Sequence, residues 1–101
     1  MQLGENTLSI IDSNELKIVV VLAIEHTLLQ MDKGTLEKVQ VKIRKEYKCS
    51  LSDCYTHPEY LAKVLKSLFG KSHTKIVKSV SDYLDDFSYQ RPIVEFLDKI
   101  R

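Results

Sequence analysis

The run Ile18-Val-Val-Val-Leu-Ala-Ile24 constrains this chain more than any other feature. No polar side chain interrupts it, so the element it forms has no face made for water. It is far shorter than the roughly 20 residues that a membrane span requires. Its β-branched content suits a buried strand, and its continuation by Leu28 and Leu29 suits a helix buried on all sides. No other segment supplies a sheet partner. The run is therefore read as the middle of a helix from Ser13 to Met31, with Val20 and Val21 both buried.

At 101 residues the chain has the size of one domain. Hydrophobic residues at 44% and a net charge of +1 exclude disorder as the main state. The same balance gives no general attraction to nucleic acid or to an anionic membrane surface. Three Gly and two Pro leave little room for the tight turns of a sandwich or barrel. The first residues, Met1-Gln-Leu-Gly-Glu-Asn, lack the basic and apolar stretches of a secretory signal. Cys49 and Cys54 make no secreted-type disulfide framework and read as reduced thiols. A cytoplasmic location is the expectation.

Residues 1–11 carry no helical stripe and read as an N-terminal arm, ahead of a single helical domain over 12–101. Asp12 and Glu15 fit a capping box at the start of helix 1. Gly34 sits where a left-handed helix end wants glycine, and Thr35 can cap a second helix from about Leu36 to Lys48. Leu36, Val39, Ile43 and Tyr47 form its apolar stripe. Cys49 to Tyr55 reads as a connector, with Ser50 and Ser52 as turn formers. Thr56-His57-Pro58-Glu59 fits another capping box, with proline tolerated in the first turn. Helix 3 follows to Phe69 and stops at Gly70. Ser72 is placed to cap helix 4, from about His73 to Phe87. Pro92 starts a short last helix. The expectation is all-α: a compact bundle of four to five short helices with short loops.

Few residues suggest chemistry. Cys49, Cys54 and His57 could place soft ligands in one loop, with His73 or His26 as a fourth. The second closely spaced pair of a zinc site is missing, so no metal and no cofactor is expected. Cys54, His57 and Glu59 lie near one another in sequence, but His57 and Glu59 have a simpler use at a helix start. No Gly-rich phosphate loop exists. Asp82, Asp85 and Asp86 read as a solvated acidic face. The chain is not expected to be an enzyme.

The lysines have helical spacing: Lys38, Lys42 and Lys45 on helix 2, Lys63 and Lys66 on helix 3, and Lys71, Lys75 and Lys78 at helix 4. Such stripes are the candidate contacts to nucleic acid, since phosphates need cations on one face. The arginines and asparagines that usually read bases are absent from them. A protein interface is expected at the end of the chain. Ile93, Val94, Phe96, Leu97 and Ile100 cover more than one face of a short helix, with Tyr83, Phe87 and Tyr89 just before it. Aromatics beside an over-wide apolar helix suit an interface core, and a second copy is the commonest partner for a small chain.

Several stretches carry a resemblance: Ala23-Ile-Glu-His-Thr-Leu-Leu29, Val41-Lys-Ile-Arg-Lys-Glu-Tyr47, Leu51-Ser-Asp53, His57-Pro-Glu-Tyr-Leu61 and Val64-Leu-Lys-Ser-Leu-Phe-Gly70. Together they resemble the small all-helical output domains of the NitrOD type found in ammonia-oxidising archaea, over about two thirds of the chain. The resemblance implies an intracellular interaction or signalling module, with no catalytic residues to carry over. The expected function is thus binding to a protein partner or to itself. The alternative is a nucleic-acid-binding transcriptional regulator using the lysines. No membrane partner is expected.

Overall fold

The structure, a computed structural model, describes residues 13–101. The expected arm over 1–11 and the Asp12 half of the first capping box lie outside the described residues. Among the described residues five α-helices follow one another: α1 (Ser13–Met31), α2 (Lys33–Tyr47), α3 (Pro58–Phe69), α4 (His73–Tyr83) and α5 (Arg91–Ile100). Single 3-10 turns at Leu51–Tyr55, Gly70–Ser72 and Asp85–Phe87 join the later helices. The described residues contain no strand, and the expected all-α bundle is what forms.

Each helix buries one stripe. α1 contributes Leu16, Val20, Ala23, Ile24 and Leu28, at the spacing of three and four that keeps side chains on one face. Val39 and Ile43 come from α2, Leu61, Val64 and Leu65 from α3, and Ile76, Val77 and Val80 from α4. α1 packs on α2, α4, α5 and the 51–55 turn, while α3 packs on α2, α4, α5 and that same turn. A fully buried Leu or Ile contributes about 1.5–3 kcal/mol. The core therefore carries the fold without a staple.

Two expectations about apolar helices are corrected here. α1 is not buried on all sides. Val20 is fully buried, Val21 is only half-buried, and Ile18 (59%), Leu22 (57%) and Leu29 (52%) are exposed. A bundle this small has too few neighbours to surround one helix. The opposite holds for α5. Ile93 and Ile100 are fully buried, with Phe96 and Leu97 at 2% and 7% exposure. The face expected to meet a partner is packed against α3, with Phe96 stacked on Tyr55 at 6.1 Å between ring centres. The interface expected through Ile93, Phe96, Leu97 and Ile100 is therefore not on the surface. Only Tyr83, Tyr89 and Val94 stay exposed there, with Phe87 half-buried.

The helix ends also differ from expectation. α2 starts at Lys33, so Gly34 lies inside its first turn and Thr35 is buried rather than capping. Asp32, extended at φ −174° and ψ 150°, is enough to separate α1 from α2. The left-handed residue is instead Lys48 at φ 58°, whose N–H donates to the carbonyl of Arg44 at the end of α2. Gly70 does hold a positive φ, 55°, at the end of α3, where a side chain would be strained. His57, not Thr56, precedes α3, and neither His57 nor Ser72 makes a side-chain cap bond. α4 ends at Tyr83, four residues before the expected Phe87, and a separate 3-10 turn carries Asp85–Phe87.

Candidate functional site

α2 and α3 lie side by side and turn Val39, Ile43, Leu61 and Leu65 into the core. Val41 is two residues from Val39 and from Ile43. A helix rotates about 200° in two residues, which carries Val41 off the core stripe. It is 49% exposed, and Leu68 near the end of α3 is 36% exposed. Both line an open groove of about 780 Å³ that begins at Gly34. Lys38, Lys42 and Lys45 line the same groove, with Glu37 and Glu46. Three lysines against two glutamates leave a net charge of +1 on the lining. Lys42 forms an i,i+4 ion pair with Glu46. Lys38 and Lys45 make no ion pair among the described residues. The groove thus offers an apolar floor with cations along one helix.

The remaining lysines do not join this patch. Lys63 and Lys66 are exposed on α3, and Lys71 is exposed in the turn before α4. Lys75 lines a separate hollow of about 260 Å³ with Thr27 and Ser72. Lys78 lies 3.7 Å from Asp82 in an exposed pair and borders another cavity. Helical spacing grouped these cations correctly within each helix, but the packing of the helices divides them among different hollows.

The loop that invited metal and nucleophile readings has a structural arrangement. Cys54 is fully buried, and that burial, with the nearby Cys49, Asp53 and Glu59, pushes its thiol up to about 12. Desolvation also raises the half-buried Cys49 thiol, with Asp53 adding to it. Asp53 accepts from the Ser50 N–H at 2.9 Å and from the Ser50 hydroxyl at 3.1 Å, which holds its carboxyl below the ordinary range. His57 stacks on Tyr60 with ring centres 4.8 Å apart, and Tyr60 stacks on Tyr47 at 4.1 Å. Glu59 lies 3.6 Å from His57 Nδ1. His26 packs against Tyr83 with the rings tilted at 43° and their centres 4.8 Å apart, and His73 bonds to a backbone carbonyl. Among the described residues, no three His, Cys, Asp or Glu side chains are grouped to hold a metal.

A buried, neutral thiol is a poor nucleophile. In the folded protein a neutral-pH thiol reagent should label Cys49 first and leave Cys54 largely unmodified. After unfolding, both should react without added reductant. Equal rapid labelling of both in the folded state would show that the 51–55 turn does not shield Cys54.

Sequence reasoning missed Val41 and Leu68 in different ways. Val41 stands outside the periodic stripe of α2, a signal that was present and unused. Leu68 shares its face with Leu61, Val64 and Leu65, and only the end of the helix leaves it uncovered. Of the remaining acids, Asp85 and Asp86 are exposed in the short turn after α4. No family model, no curated protein and no solved structure matches this chain, so its function has to be read from the groove, the exposed face of α1 and their chemistry.

Proposed function

We propose that this protein is a non-enzymatic interaction module whose α2–α3 groove seats an amphipathic helix of a partner protein. The partner's apolar face lies on Val41 and Leu68, and its carboxylates face Lys38 and Lys45. The observation that carries this reading is the exposure of Val41 and Leu68 in one groove lined by Lys38, Lys42 and Lys45. Helix-in-groove recognition needs an apolar strip and charged edges, and both are here. The resemblance to small archaeal output domains supports an interaction or signalling role. Nucleic acid fits less well, because the lysines are divided among separate hollows and an apolar floor gives phosphates nothing.

The test is fluorescence anisotropy with a labelled helical peptide that has leucines at helical spacing and glutamates on both flanks. Saturable binding is expected, lost in Val41→Asp and in Leu68→Asp at unchanged melting temperature. Lys38→Glu with Lys45→Glu should weaken binding and flatten its salt dependence. A peptide with lysines in place of the glutamates should bind far less. Binding indifferent to Val41→Asp, or a preference for mixed-sequence duplex DNA that falls steeply with salt, would overturn the proposal.

Ile18, Leu22 and Leu29 favour a second reading, self-association through α1. They lie within about 40° of one another around the helix and are each more than half exposed. Light scattering of the wild type should then report a dimer that Leu22→Glu returns to monomer. A monomeric wild type at high micromolar concentration would end that reading.

A further inference from the structure

The geometry points to a binding site for a small oxyanion between α4 and the end of α5, separate from the α2–α3 groove. His73 opens α4 and is only 5% exposed. Its Nε2 lies 2.7 Å from the carbonyl oxygen of Ile100. A carbonyl only accepts, so Nε2 carries a proton and donates it. In the neutral ring that bond leaves Nδ1 with the lone pair. Nδ1 makes no hydrogen bond among the described residues. That nitrogen is not buried away from solvent, so a ligand hydroxyl in the cavity that His73 lines can take the place of water there.

The ring lines a cavity of about 380 Å³. Val77 supplies an apolar wall, and Lys78 and Arg101 bring two cations to the same space. Ser81 adds a hydroxyl that can donate to an oxyanion. Asp82 also lines the cavity, so its lining carries a net charge of +1 with the imidazole neutral. Both cations have carboxylate neighbours: Lys78 is 3.7 Å from Asp82, and Arg101 is 3.1 Å from Asp98. All four of those side chains are at least 60% exposed. Pairs so open to water contribute little and can yield to a ligand.

These groups define the ligand's chemistry. It is a small oxyanion for Lys78, Arg101 and Ser81 that also carries a hydroxyl to donate to His73 Nδ1. A hydroxycarboxylate and a hydrogen phosphate share that chemistry. The imidazole is what distinguishes them from a bare carboxylate, which carries no proton at neutral pH.

The experiment is an NMR titration of the full chain with glycolate, inorganic phosphate and acetate, following the ring nitrogens of His73 and the amides of Val77, Lys78 and Ser81. Glycolate or phosphate should give saturable shifts at these positions, with His73 Nδ1 moving most, and acetate should bind at least several-fold more weakly. Lys78→Gln, an exposed change, should remove the saturation while the rest of the spectrum stays unchanged. His73→Gln keeps a donor to Ile100 and should lose the preference for glycolate over acetate. Linear, non-saturating shifts with all three anions would overturn the site. Equal binding of acetate and glycolate, or binding indifferent to Lys78→Gln, would overturn the assigned roles of the imidazole and the lysine.

Discussion

Phe96→Glu is expected to unfold the protein. The side chain is 2% exposed, packs into the core from α5 and stacks on Tyr55. Truncating a buried Phe alone costs about 3–5 kcal/mol, and a carboxylate adds an unpaired charge in the space it leaves. That is comparable with the whole stability of many domains, about 5–15 kcal/mol. Thermal melts should show loss of the cooperative transition or a large fall in Tm. Val94→Glu, at an exposed position on the same helix, should leave the melt nearly unchanged. A Phe96→Glu protein that stays folded and changes only its oligomeric state would return α5 to the role of an interface.

The second large effect lies within two residues of α1. Val20 is fully buried, whereas Leu22 is 57% exposed. Val20→Asp buries a polar group with no partner and should lower stability by about 4 kcal/mol or more. For a domain of this size each kcal/mol moves Tm by about 4–8 °C. Leu22→Asp, measured at a concentration too low for self-association, should change stability by less than about 0.5 kcal/mol, as surface changes do. Equal losses at the two positions would mean that α1 is enclosed on all sides, as its composition alone suggests.

This contrast shows where sequence reasoning reaches its end. The apolar run at 18–24 identified α1, and its expected bounds agree with Ser13–Met31. α3 was legible because Pro58 starts it and Gly70 stops it, each for a backbone reason. α2 was misjudged at its start because glycine can end a helix or sit in a first turn. The left-handed residue that closes α2 is Lys48, which no propensity would single out. The end of α4 was overrun because Leu84 and Phe87 keep the helical spacing while the backbone tightens into a 3-10 turn. Periodicity says that a face is apolar. It does not say which face the neighbours can reach, so the wide apolar surface of α5 pointed to a partner, whereas all of it but Val94 is core.

The groove was legible in half. The spacing of Lys38, Lys42 and Lys45 placed them together on α2, and the structure keeps them together. Their setting depends on Leu68, which comes from a different helix and whose exposure follows from where α3 ends. The thiol loop had the opposite history. Cys49, Cys54 and His57 are close along the chain, yet Cys54 is buried while His57 is exposed and stacked on Tyr60.

The central claim is that the α2–α3 groove is the docking surface, and amide chemical-shift mapping with the glutamate-flanked leucine peptide tests it most directly. The account predicts that the largest shifts fall on Lys38, Val41, Lys45 and Leu68, with α4 and α5 unmoved. Shifts centred on Ile18, Leu22 and Leu29, or on the lysines of α4, would contradict it.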